Sequence, residues 1–364
     1  MQVINNHSSS EILQGEDVFS ALDDFIRKHS RNYPVFILVD EITEKVCLPV
    51  LHEKIPGLQN AIVLRIHSGE HNKSLQSCET LWNQLTSHNA DRHSLLINLG
   101  GGMIGDLGGF VAATYMRGIS FVNIPTTLLA MVDASAGGKN GINLSGLKNQ
   151  VGTFTHPIAV CISPVFLKTL PMRDIRAGFA ELIKHALIAD VKYWKEILKI
   201  KSLEHVNWSP LIATSVQIKK QIVAADFKEK NLRKTLNFGH TIGHALESYS
   251  MRHSAHPLRH GEAVAAGIVG ELYLSKKILG FPSEKMDEIV EFIVSHFPLS
   301  ELKAEMNQIL SLISHDKKSV GKDTQFVLLK DIGLPVIHQQ PEEQDIRDAV
   351  KFILDRFHQT TYSS

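Results

Sequence analysis

The chain has 364 residues, with 38 Lys plus Arg against 38 Asp plus Glu and with 43% of its residues in the apolar set. A net charge of zero argues against the broad basic surface of a nucleic-acid-binding protein, and 21% charged residues with ordinary apolar content argues against a disordered chain. A chain of this length usually outgrows a single core, so we expect two domains.

The cysteines and the first residues bear on where the protein works. Cys47, Cys78 and Cys161 lie far apart and form no CxxC pair, which is typical of thiols in a reducing compartment. Residues 1–15 are polar and lack the basic and apolar regions of a signal peptide, and no apolar run approaches the ~18 residues that a membrane span needs. We therefore expect a cytoplasmic protein that binds neither membrane nor nucleic acid.

The first half of the chain alternates helical and strand patterns. A helical pattern at residues 16–29 is followed by short apolar runs at 35–39, 61–66, 94–99 and 121–124, which are separated by segments of helix length. This alternation is typical of a parallel sheet covered by helices on both faces, whose ligands bind at the carboxyl ends of the strands. We predict a Rossmann-like α/β domain at residues 1–170.

Helical patterns dominate the second half. They occupy residues 175–190, 211–226, 240–250, 261–279 and 283–296, and Gly280 and Pro282 mark the end of the fourth. A late apolar run at 325–329 predicts one strand. We predict a mainly α-helical second domain at residues 171–364, with the boundary placed by this change of pattern alone.

A glycine-rich turn follows the third strand. Gly100, Gly102 and Gly105 satisfy the pattern G-x-G-x-x-G, in which backbone N–H groups at a helix N-terminus can approach a pyrophosphate. A crowded turn explains the same pattern, and the acidic residue expected about 20 positions downstream is missing. Asp40 and the pair Thr126–Thr127 each end another strand at the same edge of the sheet and favour nucleotide binding.

A second glycine-rich region is predicted to form loops. It covers residues 134–141 and 146–149 and contains Lys139, Lys148 and Asn149, with Asp133 just before it. Lysines with backbone donors can bind a phosphate or carboxylate, whereas a solvated connection with incidental lysines is the alternative. Two lysines and an asparagine together favour anion binding.

Histidines and one glutamate form a candidate metal site. His240 and His244 share a helical face at i and i+4, a spacing used by metal-binding helices but also by buried histidine pairs. A third ligand is required, and Glu181 and His260 are candidates. Glu181 shares a face with Lys184, so a simple helix ion pair is the alternative interpretation.

Further cations flank this region. They are Lys219, Arg233, Lys317 and Lys318. Each alone is most often a solvated charge, but together they could capture an acidic substrate, with arginine suited to a bidentate carboxylate contact.

Taken together, the motifs resemble the 3-dehydroquinate synthase family. In chain order they are GMIGD at 102–106, PTTLL at 125–129, VDASAGGK at 132–139, KN at 148–149, GFAE at 178–181, LNFGHTIGH at 236–244 and HGE at 260–262. They occur in the family's order over roughly residues 40–318. One departure is Leu147, where many family members have glycine, and we expect a local backbone change there.

The resemblance implies an NAD-binding N-terminal domain, a helical C-terminal domain that binds metal and substrate, a catalytic divalent cation (Zn²⁺ or Co²⁺) and a homodimer. It also implies the reaction, which is cyclisation of 3-deoxy-D-arabino-heptulosonate 7-phosphate to 3-dehydroquinate with release of phosphate.

The resemblance further implies which residues bind each group. The metal ligands would be Glu181, His240 and His260, whereas His244 would lie near the substrate phosphate. NAD contacts would come from Asp40, Ser68, Gly69, Glu70, His71, Asn72, Lys73, Gly102, Met103, Ile104, Gly105, Asp106, Thr126, Thr127, Lys139, Lys148, Phe166, Leu167, Lys168 and Thr169. Substrate contacts would come from Asp133, Lys139, Asn149, Lys184, Lys219, Arg233, Asn237, His244, one lysine of the Lys317–Lys318 pair, and Arg117, which would contact the phosphate across the dimer.

Three alternatives remain open. A different sugar-phosphate cyclase would act on sedoheptulose 7-phosphate or glucose 6-phosphate, although Lys219 and Arg233 favour a substrate with a carboxylate. A metal-dependent polyol dehydrogenase would consume NAD as an oxidant. A nucleotide-binding protein without catalysis would not need the complete set of metal ligands and cations.

Overall fold

The computed structural model describes residues 10–15, 17–30, 33–134, 137–145, 147–299, 302, 304–320 and 325–359, without the side chains of 134, 315–320 and 359. The chain forms two compact units. One comprises the chain up to Pro171 together with Trp208–Val216, and the other comprises Met172–Asn207 and the chain from Gln217 onward.

The first unit is built on short strands and covering helices. Its strands are β1 Glu11–Gln14, β2 Val35–Asp40, β3 Ile62–Ile66, β4 Leu95–Gly100, β5 Ser120–Pro125, β6 Lys139–Leu144, β7 Leu147–Phe154 and β8 Ala159–Ile162. Its helices are α1 Val18–Ser30, α2 Glu41–Val46, α3 Leu48–Lys54, α4 Leu75–Ser87 and α5 Gly102–Thr114. Short 3₁₀ turns occur at Pro56–Asn60, Glu70–Asn72, Tyr115–Arg117 and Pro164–Thr169.

Six of these strands form one sheet in the order β1-β8-β5-β4-β2-β3, and every pairing is parallel. The predicted parallel α/β sheet is therefore confirmed. All six residues of β4 are buried, which explains why this strand reads as a continuous apolar run. β1 and β8 were not predicted from the sequence, because strands of four residues are too short to show a clear pattern.

The order of strands locates a crevice. β3 lies on one side of β2 and β4 lies on the other, so the chain reverses its direction of winding next to β2. Ligands of open parallel sheets bind at such a reversal, outside the carboxyl ends of the strands. Asp40 at the end of β2 and Gly100 at the end of β4 flank this point.

The prediction of loops around Lys139–Asn149 is wrong, because two strands form there. β6 and β7 pair as an antiparallel hairpin, with Asn140 opposite Thr153 and Ile142 opposite Val151. The hairpin packs against α5, where a Cβ on Gly109 would lie 2.1 Å from Asn140 Oδ1. The glycines and polar residues of this segment have low strand propensity, so the sequence did not predict strands there.

The second unit is mainly helical, as predicted. Its helices are α6 Met172–Ala189, α7 Val191–Ile197, α8 Trp208–Ala225, α9 His240–His253, α10 His260–Leu279, α11 Ser283–His296, α12 Met306–Val320 and α13 Glu343–Gln359. The first residues of α8, up to Val216, belong to the first unit. An antiparallel pair, β9 Phe326–Asp331 and β10 Leu334–Gln339, follows α12, and only β9 was predicted.

The stop signal at the end of α10 is confirmed, since Gly280 has a φ of 72° and caps the helix in the left-handed conformation. Among the helices that the structure describes, none combines the length and the apolar character that a membrane span requires.

Candidate active site

Glu181 lies at the centre of the candidate site in the second unit. It is on α6 and is fully buried, as is Lys184 one turn later. Lys184 Nζ forms an ion pair with Glu181 Oε2. The ion pair that the alternative interpretation offered is therefore present, but both groups are buried, and taking two charges out of water costs free energy.

Two imidazoles converge on the other oxygen of the same carboxylate. Nε2 of His240 and Nε2 of His260 each lie 3.7 Å from Glu181 Oε1. The Nδ1 atoms have other partners, the carbonyl of Phe238 at 3.1 Å for His240 and Glu247 Oε2 at 3.4 Å for His260. A backbone carbonyl or a carboxylate on Nδ1 is how metal-binding histidines are usually oriented.

The two imidazoles differ in protonation. Burial lowers the pKa of His240 well below its usual value, and the nearby Lys184 cation lowers it further. For His260, burial acts in the same direction, but the nearby carboxylates of Glu181 and Glu247 outweigh it and raise the pKa to about 9. His240 thus offers a neutral nitrogen at neutral pH, whereas a metal ion would displace a proton from His260.

His244 lies beside this group on α9 and is exposed. Its ring centroid is 5.2 Å from that of His240 and 5.7 Å from that of His260. One nitrogen from each of the three histidines lies within 4.8 Å of the others. The structure therefore brings His244 to the site, and its role there remains a prediction.

Two buried carboxylates beside the site, Glu247 and Glu262, had no role predicted from the sequence, although Glu262 belongs to the HGE motif. Glu247 is buried on α9 and contacts His260, and its position seven residues after His240 on the same helical face was the available signal. Glu262 is buried on α10 and accepts two hydrogen bonds from Arg173 of α6. Only the folded structure brings Arg173 to Glu262, because 89 residues separate them.

Two of the predicted substrate-binding cations in this unit are buried like Lys184. Lys219 and Arg233 have relative exposures of 5% and 4%. Arg233 Nη1 donates to the carbonyl of Phe227 at 2.7 Å. Asn237 is exposed and donates to Glu229 Oε1 at 3.1 Å. The side chains of Lys317 and Lys318 lie outside those that the structure describes.

The predicted nucleotide-binding residues lie in the first unit. β4 ends at Gly100 and α5 begins at Gly102, so the glycine pattern occupies the strand–turn–helix context that it requires. A small pocket lined by Gly100, Gly102 and Gly105 opens at this turn. A Cβ on Gly108 would lie 2.0 Å from Asn98 Oδ1, which shows how closely α5 packs on the sheet.

Asp40 ends β2 and the threonines follow β5, so they lie on either side of β4. Asp40 Oδ1 caps α2 by accepting N–H bonds from Ile42 (3.0 Å) and Thr43 (2.7 Å). Thr126 is buried and donates its N–H to the carbonyl of Gly100 at 3.0 Å, and Thr127 is half-buried. The structure thus gathers these residues around the turn.

Lys73 is buried and joins the glycine turn to the hairpin. Its Nζ donates to Asp106 Oδ2 at 2.5 Å and to Asn149 Oδ1. Asn149 has a φ of 54°, and its N–H donates to Asn143 Oδ1 at 2.9 Å. One lysine therefore connects a predicted NAD contact with a predicted substrate contact.

The remaining predicted residues of this unit lie nearer the surface. Lys139, Lys148 and Arg117 are exposed, and Asp133 is half-buried. Arg117 has a φ of 69° in a tight turn that ends at Gly118. The predicted NAD contacts at 68–72 lie in and around the 3₁₀ turn Glu70–Asn72, and those at 166–169 lie in the 3₁₀ turn Pro164–Thr169.

Comparisons with known proteins cover most of the chain. Residues 63–177 match the model of the 3-dehydroquinate synthase N-terminal domain, and residues 178–319 match the model of the C-terminal domain. A curated relative named 3-dehydroquinate synthase, from Parabacteroides distasonis, is 43% identical over 354 residues, which are 96% of this chain and 99% of the relative.

Two solved structures share the fold. ValA, a 2-epi-5-epi-valiolone synthase from Streptomyces hygroscopicus with NAD⁺ and Zn²⁺ bound, has a TM-score of 0.82 at 21% identity and covers 98% of this chain and 99% of its own. A 2-deoxy-scyllo-inosose synthase complexed with carbaglucose-6-phosphate, NAD⁺ and Co²⁺ has a TM-score of 0.80 at 23% identity, over 93% of this chain and 95% of its own. At these identities the likeness concerns the fold alone.

Proposed function

The chain belongs to the 3-dehydroquinate synthase family, and we propose on that premise that it converts 3-deoxy-D-arabino-heptulosonate 7-phosphate to 3-dehydroquinate and phosphate. The observation that carries the proposal is the convergence of His240 Nε2 and His260 Nε2 on Glu181 Oε1 beside the Lys184 cation. One carboxylate and two imidazoles leave positions of a divalent ion open to substrate, as catalytic sites require.

Glu181, His240 and His260 would hold Zn²⁺ or Co²⁺. The donor set fits such an ion, because both Nδ1 atoms are engaged elsewhere and both Nε2 atoms lie on the side of Glu181. NAD would be held at the glycine turn and the surrounding strand ends, from Asp40 to Thr127, with residues 68–73 and 166–169. The two structures of similar fold carry NAD⁺ with Zn²⁺ or Co²⁺, which supports both assignments.

When bound, NAD would accept and later return a hydride at the C5 alcohol, and the metal ion would stabilise charge on the neighbouring oxygens. The chain's own residues would position a small acidic substrate. Lys184, Lys219 and Arg233 would neutralise its carboxylate and phosphate, and their burial would strengthen each contact. Asn237 and His244 would donate further hydrogen bonds at the same place.

Asp133, Lys139 and Asn149 of the first unit are further predicted substrate contacts. Lys73 would hold Asn149 in place through its hydrogen bond, while also holding Asp106 of the glycine turn. Holding the substrate chain in one conformation would promote ring closure, since an oriented intramolecular reaction avoids much of the entropy cost of a bimolecular one.

The wider organisation is part of the proposal. Residues 1–170 would form the NAD-binding domain, and residues 171–364 the domain for metal and substrate. The protein would act as a homodimer in the cytoplasm, with the exposed Arg117 contacting substrate phosphate in the partner subunit. The three buried free thiols fit a reducing compartment.

Phosphate release tests the reaction. Purified protein with Co²⁺ and trace NAD should release phosphate from the heptulosonate substrate without net accumulation of NADH. Turnover of sedoheptulose 7-phosphate in place of this substrate would favour another cyclase. NADH formed in proportion to product would favour a polyol dehydrogenase.

A His244→Ala variant tests the assignment of the third histidine. We expect metal content like that of the parent and a raised KM for substrate, because His244 would contact phosphate and not metal. Loss of bound metal from this variant would place His244 among the ligands instead.

A further inference from the structure

Glu271 is a fully buried carboxylate whose partners are all backbone N–H groups. It lies on α10, and its oxygens accept bonds from Gly239 (2.6 Å), Thr241 (3.1 Å) and Ile242 (3.4 Å). These donors are the residue before α9 and the second and third residues of that helix. One side chain thus binds the start of the helix that carries His240.

The start of α9 has no side-chain cap of its own. Its N-cap position is Gly239, which has a φ of 79°, and the first N–H groups of a helix lack partners within it. A Cβ on Gly267 would lie 1.9 Å from the carbonyl oxygen of Gly239, so α10 is in backbone contact here. A buried acceptor from α10 therefore replaces the missing cap.

The same backbone orients the imidazole of His240. Nδ1 of His240 lies 3.1 Å from the carbonyl oxygen of Phe238, whose side chain is fully buried. Nε2 consequently faces Glu181 Oε1 at 3.7 Å. A shift of the backbone at 238–242 would move this nitrogen.

Glu271 and His260 lie on one helix, about three turns apart. The bonds from Glu271 to the start of α9 therefore link the helix that carries His260 to the residue next to His240. We propose that Glu271 is a positioning residue that sets the spacing of the two imidazoles for a divalent cation. This inference rests on the proposed metal site.

The Glu271→Gln variant tests the inference by metal binding. The amide leaves one acceptor oxygen for three donors, so Co²⁺ should bind at least about tenfold more weakly than to the parent, with an altered visible absorption spectrum of the bound Co²⁺. Ser275→Ala is the matched control. Ser275 is equally buried one turn further along α10 and bonds Glu271 O and Leu329 N, away from α9, so its Co²⁺ affinity and spectrum should stay those of the parent.

Two outcomes distinguish a failure of the positioning role of Glu271 from a failure of the proposed metal site. If the parent binds no Co²⁺, the proposed metal site fails. If the parent binds Co²⁺ and Glu271→Gln binds it with the same affinity and spectrum, the positioning role is overturned.

Hydrogen exchange on the parent protein gives a test that needs no variant. Coupling between two sites is reciprocal, so Co²⁺ should slow exchange of the amides of Gly239, Thr241 and Ile242. Exchange of the Leu329 amide, which bonds Ser275, should be unchanged. Equal exchange at 239–242 with and without bound Co²⁺ would overturn the proposal even if the variant did not fold.

Discussion

Arg173 and Glu262 form a two-bond ion pair in which Nε lies 2.7 Å from Oε1 and Nη2 lies 2.7 Å from Oε2. Arg173 is on α6, which carries Glu181, and Glu262 is at the start of α10, which begins with His260. The pair therefore joins the helices of two proposed metal ligands. Nη2 of the arginine also donates to the carbonyl of Pro257 at 2.8 Å.

An Arg173→Lys variant should lose stability and metal affinity together. Lysine cannot form both bonds to Glu262, so one buried carboxylate oxygen loses its charged donor, and we expect the free energy of unfolding to fall by about 1–3 kcal/mol. Denaturant unfolding of the metal-free protein and Co²⁺ titration measure the two effects. The control is Arg347→Lys in the exposed pair with Glu343, where the loss should stay below about 1 kcal/mol with unchanged Co²⁺ affinity. If both variants lost the same stability and the same Co²⁺ affinity, the proposed role of the Arg173–Glu262 pair would be contradicted.

A Gly261→Ala variant should separate α10 from α6. A Cβ at position 261 would lie 1.8 Å from the carbonyl oxygen of Ala177, and that backbone cannot move aside as a side chain could. We expect a loss of about 3 kcal/mol in the free energy of unfolding and weaker Co²⁺ binding. Gly57→Ala is the control, since its Cβ would make only an ordinary contact of 3.7 Å with Asp23, and a change beyond about 1 kcal/mol is not expected. If Gly261→Ala kept the free energy of unfolding of the parent, the close contact with Ala177 would be relieved by movement elsewhere in the structure, and the expectation would be wrong.

A His260→Ala variant should lose bound metal and activity while the chain stays folded. The imidazole is one of three proposed donors, and its ring is partly exposed, so removing it costs little packing. Metal content after dialysis and the circular dichroism spectrum check both expectations. His253→Ala, an exposed histidine on α9, should keep the metal content of the parent. Unchanged metal in His260→Ala would remove it from the ligand set.

The three thiols should be unreactive in the folded protein. Burial raises the pKa of Cys47 to about 11 and the pKa values of Cys78 and Cys161 to about 12. The reactive thiolate is therefore scarce below pH 11, and access is blocked as well. An aromatic disulfide reagent at about pH 8 should modify all three cysteines in denaturant and almost none without it. Fast reaction of the native protein would mean that a thiol is exposed by local opening.

Much of the first unit could be predicted because its signals are local. The apolar runs at 35–39 and 94–99 belong to strands buried on both faces, and such strands show their type in the sequence alone. The glycine turn after β4 was likewise predictable, since its strand–turn–helix context follows in sequence. The hairpin β6–β7 was not predictable, because its glycines and polar residues have low strand propensity. It is stabilised instead by the pairing of its two strands and by its contact with α5.

The sequence by itself determined which chemical groups the protein has. It also determined the family motifs in which they occur, and it identified Glu181, His240 and His260 as candidates among 19 histidines and 38 acidic residues. The tertiary structure decided how those groups are held. Glu247 against His260, Arg173 against Glu262, and Glu271 at the start of α9 depend on helices packed at backbone contact. Such contacts join residues that are 13 to 89 positions apart. These residues become buried only when the helices pack, and their burial sets the pKa values and the strength of each ion pair.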